Sequence, residues 1–151
     1  MEIKNKEISH ISECSSENLT IEKSDFRCKL SSVNLKNSDF NETNFSNSVF
    51  HNGDMNNVRF HLTGMPNADF EHVNMVRSNF KDMGMSGSSF IRVDMERSDF
   101  DGTGLANSII TGSDLTNVTI RGCKITGMTV DGFNVMELIK FYKMNHKKKE
   151  N

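Results

Sequence analysis

ADFEHVNMVRSNFKDMGMSGSSFIRVDMERSDF, residues 68–100, carries a large apolar residue at every fifth position. Phe70, Phe80, Phe90 and Phe100 alternate there with Met75, Met85 and Met95. Toward the N-terminus the same phase takes in Leu30, Phe40, Phe50, Met55, Phe60 and Met65. Toward the C-terminus it continues through Leu105, Ile110, Leu115, Ile120, Ile125 and Val130 to Val135. Neither the 3.6-residue period of a helix nor the two-residue period of a strand produces such a ruler, so the chain is read as a repeat architecture.

The unit explains itself around each large residue. Two positions earlier stands a small or β-branched residue, as in Ser38, Thr43, Ser48, Val58, Ala68, Ser78, Ser98 and Ser108. Between the two, Asp or Asn is commonest: Asp39, Asp54, Asp69, Asn74, Asn79, Asp94, Asp99 and Asp114. Small in, polar out, large in is strand alternation. The two remaining residues turn the chain, and Asn47, Asn57, Asn67, Gly87 and Gly102 suit tight turns with positive φ. No side is long enough to pair with itself, so backbone hydrogen bonds must run between successive coils.

With four sides per coil, Phe40, Phe60, Phe80 and Phe100 share one wall, and Phe50, Phe70 and Phe90 the opposite one. Met55, Met75 and Met95 then line a third wall, and Met65 and Met85 the fourth. This segregation favours four sides over three without excluding three.

SDFNE (38–42), ADFEH (68–72), VDMER (93–97), SDFDG (98–102) and SDLTN (113–117) resemble the A(D/N)LXX unit of the pentapeptide-repeat family. The resemblance covers about residues 24–135. It implies an all-β fold: a right-handed quadrilateral parallel β-helix. Departures occur at Val49, Arg59, Ile109, Thr119 and Lys124, which replace Asp or Asn, and at Met83 and Met128, which enlarge the small position. The spacing slips once, between Phe26 and Leu30, so residues 1–23 are expected to be an N-terminal cap or a partly mobile segment. Residues 24–135 are the repeat domain, and 136–151 a C-terminal helix with a basic tail.

A parallel β-helix exposes strand edges at its ends unless they are covered. Asn134 as N-cap, with Glu137 three residues on, predicts a helix beginning before VMELIKFYKM. Val135, Leu138, Ile139 and Tyr142 would share the face that closes the last coil. Phe141 and Met144 point elsewhere. Either the helix wraps the coil to bury both sets, or Phe141 and Met144 form a homodimer interface, as the family resemblance allows. Lys147, Lys148 and Lys149 read as a solvated tail.

The hydrophobic share is 35% and the formal net charge −2. A solenoid tolerates so polar a composition because stacked neighbours complete each repeat's burial. The near-neutral balance gives neither a basic nucleic-acid face nor a strongly acidic one. Cys14, Cys28 and Cys123 lack metal-ligand spacing, and Cys28 and Cys123 lie too many coils apart to bridge. Free thiols, and no apolar run long enough to span a membrane, favour a cytoplasmic protein.

A narrow tube filled by Phe and Met leaves no interior pocket for catalysis, so no enzyme, cofactor or metal is expected. His51 and His72 become neighbours on one wall, read as solvated histidines. Arg77, Arg92, Arg97 and Glu96 are a candidate mixed-charge binding patch, with a surface ion-pair ladder as the plainer reading. The expected role is a non-catalytic scaffold for a protein partner, without direct nucleic-acid or membrane contact. The resemblance further implies DNA gyrase or topoisomerase as a partner, bound by mimicry of duplex DNA and linked to quinolone-type resistance. A structural self-association protein is the other alternative.

Overall fold

A computed structural model describes residues 20–25 and 29–146 in full, and residues 2–4, 7–8, 11–12 and 26 as backbone. Cys14, Cys28 and Lys147, Lys148 and Lys149 lie outside the described residues.

The chain is a parallel β-solenoid whose partners are offset by 20 residues. Phe40 pairs with Phe60, Phe60 with Phe80, and Phe80 with Phe100. Four sides of five residues account for that offset; three would give 15. The first side is a seven-stranded sheet from Glu2–Lys4 and Thr20–Glu22 through Asp39–Asn41 to Thr119–Arg121. The third side is an eight-stranded sheet from Ile11–Ser12 through Val49–His51 to Thr129–Val130 and Phe133–Asn134. The second and fourth sides are held by single bridges from residue 44 and residue 34 onward, such as Asn44↔Gly64↔Gly84↔Gly104 and Asn34↔Asp54↔Asn74↔Asp94.

Phe and Met therefore mark two kinds of side. Rings stack in register along the strand sides: Phe80 lies 5.4 Å from Phe60 and 4.5 Å from Phe100, tilted by 10° and 8°. Phe50, Phe70 and Phe90 do the same at 4.7 and 4.9 Å. Each such pair adds roughly 0.5–1.5 kcal/mol beyond area burial. Met55, Met65, Met75, Met85 and Met95 fill the space between the ring columns and are buried to 1% exposure or less. Phe45 takes a Met-type place on the second side and meets Phe40 edge-on at 5.4 Å.

After the bridge sides the corner closes as a β-turn, with the Ser78 amide donating to the Met75 carbonyl at 3.1 Å and Ser98 to Met95 at 3.0 Å. The Asp or Asn before the Met braces that turn: Asn74 Oδ1 accepts the Val76 amide at 3.0 Å, and Asp94 Oδ1 the Glu96 amide at 3.1 Å. Such Asx bracing explains why the bridge sides keep their Asp and Asn on the fourth side.

Pairing extends ahead of residue 24, because Glu2–Lys4 runs beside Thr20–Glu22, Glu7–Ile8 beside Asp25–Phe26, and Ile11–Ser12 beside Leu30–Ser31. The described strands within 1–23 thus add one strand to each of three sides. Their offsets are shorter than 20, which hides them from a five-residue ruler. At the other end the helix, α1, spans Val135–His146, with Asn134 Oδ1 accepting the Glu137 amide at 3.1 Å as N-cap.

Candidate functional site

The final coil is incompletely covered. Leu115, Val118, Cys123, Ile125 and Val130 are only partly buried, and Ile120 is 39% exposed. Each occupies an inward position whose next coil is missing. The first sheet ends at Thr119–Arg121, and no strand among the described residues pairs with that edge. On the third side the chain turns at Asp131 and Gly132, both at positive φ, and Phe133–Asn134 returns antiparallel to Thr129–Val130.

That reversal launches α1 from a corner. Val135 and Ile139 are partly buried, but Leu138 is 51% exposed and Tyr142 61%. The predicted closing face is therefore narrower than its spacing suggests: Leu138 and Tyr142 stay in solvent. Phe141 and Met144 extend the same apolar arc, at 70% and 72% exposure. With no buried residue in the helix, the wrapped arrangement that would bury both sets is absent. Sequence periodicity missed this end because Ile120 and Ile125 look identical to inner repeats. The only available signal was that nothing in phase follows Val135.

The candidate charged residues divide between two edges. Arg77 and Arg97 stand one coil apart on the edge between the fourth and first sides, and the Arg77 amide donates to the Glu96 carbonyl at 2.9 Å. The Arg97 guanidinium pairs with Glu96 Oε1 at 3.2 Å. Arg92 belongs to the edge between the third and fourth sides. It lies 3.9 Å from Glu71 Oε1 and 3.5 Å from His72 Nε2. Glu71 also faces His51 and His72, both at 3.7 Å, and the two imidazole rings meet edge to face at 6.1 Å. Among the described residues no group of three or more His, Cys, Asp or Glu side chains is arranged to hold a metal ion.

The first side bears a shallow polar groove lined by Asp39, Asn41, Arg59, His61, Asn79 and Lys81. Its charges are largely spoken for: Arg59 pairs with Asp39 at 2.7 Å, and His61 Nε2 lies 3.7 Å from Asp82. Further along, Arg121 contacts Asp99 at 2.5 Å and Asp101 at 3.5 Å. Two groups are shifted in their titration. Hydrogen bonds from the Thr116 hydroxyl and amide hold the Asp114 carboxyl below its ordinary value of 3.8. Burial pushes the Cys123 thiol above 9.0, against weaker lowering by hydrogen bonds, which makes it a poor nucleophile.

The description "pentapeptide repeat region" matches residues 24–100, half of the chain. The chain belongs to the pentapeptide-repeat family. The matched stretch of the pentapeptide-repeat protein holds Arg77, Arg92 and Arg97 and ends before α1. No curated protein matches the chain. Similar solved structures include trypsin-treated QnrB1, a plasmid-mediated fluoroquinolone resistance protein. It is 15% identical, with 94% of this chain and 95% of that one covered, at a TM-score of 0.39. Rfr23, from the cyanobacterium Cyanothece 51142, is 14% identical over 81% of this chain and 91% of its own, at 0.31. A pentapeptide repeat protein of the Arabidopsis thaliana thylakoid lumen is 18% identical over 76% and 68%, at 0.39.

Proposed function

We propose that this pentapeptide-repeat protein is a non-catalytic, cytoplasmic protein-binding scaffold whose C-terminal end joins a second copy of itself. The observation that carries this is the uncovered final coil. Ile120, Leu138, Phe141, Tyr142 and Met144 present apolar surface beside the Thr119–Arg121 strand edge. Apolar patches of this kind mark interaction sites more often than idle surface. A two-fold contact would bring Phe141 and Met144 of each copy against the open end of the other.

Light scattering on the eluting full chain tests it. The reading expects a dimer mass for the wild type and a monomer for Phe141→Glu with Met144→Glu. A wild-type monomer at micromolar concentration contradicts it.

The topoisomerase reading gains no support from surface charge. The outward face of the first side mixes both signs, with Arg59 paired to Asp39 and Arg121 to Asp99 and Asp101. Duplex DNA presents an unbroken negative backbone. Supercoiling by purified gyrase, titrated with the protein, decides that case: inhibition or protection would restore it, and no effect at excess would end it.

A further inference from the structure

We infer that the edge carrying Arg77 and Arg97 is a docking point for an acidic polypeptide. The turn after each bridge side places its third residue at positive φ. Those residues are Asn37, Asn47, Asn57, Asn67, Gly87, Asn107, Asn117 and Gly127, together with Arg77 and Arg97. Asn or Gly fills every one of these places except 77 and 97. This is the preference expected where an i+2 residue of a type II turn must be left-handed. Corners after the Phe sides are less selective and accept Lys23, Glu42, Leu62 and Arg92. Arginine is thus unusual at the one kind of corner where the fold otherwise asks for Asn or Gly.

Nothing in the packing calls for these two arginines. Both are exposed, and Asn57 and Asn117 hold the same edge on the coils before and after. The two cations are stacked one coil apart, about 4.8 Å between backbones, so they repel each other. Arg97 has Glu96, whereas Arg77 makes no ion pair among the described residues. Left-handed backbone and like charge both oppose the native state here, and a bound anion would offset the second. Strained residues retained without structural need are the kind that serve a site.

The geometry favours a carboxylate-bearing chain. Carboxylates two residues apart in an extended strand lie about 6.7 Å apart, within reach of two guanidinium groups at that spacing. A nucleic acid fits poorly: the basic run is two coils long, and Glu96 and Asp94 border it. The proposal rests on the scaffold reading only in taking the partner to be a protein, and it uses a different surface from the C-terminal end.

The test is fluorescence anisotropy of a labelled octa-glutamate peptide titrated with the full chain at low ionic strength. Wild type is expected to bind saturably. Arg77→Asn with Arg97→Asn should weaken binding by about tenfold or more, while the thermal midpoint rises by a few degrees. Arg59→Asn, on the first side, should leave affinity within about twofold. Light scattering on the same samples should show an unchanged mass, separating this edge from self-association at the end. Absent binding by wild type, equal affinity in the double variant, or tighter binding of a duplex DNA of matched charge would each overturn the proposal.

Discussion

The Ser78 hydroxyl donates to the Met55 carbonyl at 2.7 Å and accepts the Val58 amide at 3.1 Å. One small inward side chain thereby ties two coils together inside the tube. Ser88 repeats the arrangement with Met65 and Ala68, at 2.7 and 3.2 Å. The two sites differ in what remains after truncation. The Ala68 amide also reaches the Met65 carbonyl at 3.3 Å, whereas among the described residues the Val58 amide has Ser78 Oγ as its partner. Ser78→Ala should cost about 1–3 kcal/mol by stranding a buried donor, and Ser88→Ala about 0.5–1.5 kcal/mol. Urea midpoints of the two variants check the order.

Glycines on the second side and in the turn that follows it separate by backbone. A Cβ built on Gly84 meets nothing within 4 Å, and its φ is not positive. At Gly87 the φ is +72 and the added carbon would stand 2.5 Å from Asn67 Oδ1. Gly84→Ala should be neutral or stabilising by up to about 1 kcal/mol. Gly87→Ala should destabilise by about 1–2 kcal/mol. Thermal or urea denaturation of the pair measures the contrast.

Asp114 gives a pH dependence of known sign. Its carboxyl titrates below 3.8 because Thr116 hydrogen-bonds the charged form. A depressed folded-state value means that its contribution is complete above the ordinary range and fades as pH falls through the lowered value. Asp114→Asn keeps an oxygen for the Thr116 amide but does not titrate. The difference in thermal midpoint between wild type and Asp114→Asn should be constant above about pH 5 and shrink in acid. A difference that grows in acid contradicts the assignment.

How much the sequence revealed depends on whether a residue's environment repeats. Phe80 and Met75 recur in identical surroundings, so spacing alone assigns both to the core and separates their walls. Spacing cannot say that the Phe walls are strands while the Met walls are single bridges with closed turns. That distinction lies in backbone hydrogen bonds such as Ser78 to Met75. Ser78 reads as small from its position, and its bonds to both Met55 and Val58 come only with the coil stacked. Ile120 reads as core by phase, yet a helix follows the last strands where a covering coil would lie, and Ile120 stays 39% exposed. Arg77 reads from spacing as part of a mixed-charge patch with Arg92, Arg97 and Glu96, and its left-handed backbone beside Asn57 and Asn117 comes only with the structure.

The open end, the arginine edge and the serine ties all require residues 20 apart to be neighbours on one side. Nitroxide labels on Cys introduced for Gly84 and Gly104, with Cys14, Cys28 and Cys123 replaced by Ser, test this by continuous-wave EPR. Gly84 and Gly104 are bridge partners, so the 84/104 pair should give a strongly broadened spectrum. A pair at Gly84 and Asp94, on opposite sides, should give sharp lines. Sharp lines from 84/104, or stronger broadening in a pair 15 residues apart at 84 and 99 than in 84/104, would contradict the four-sided coil.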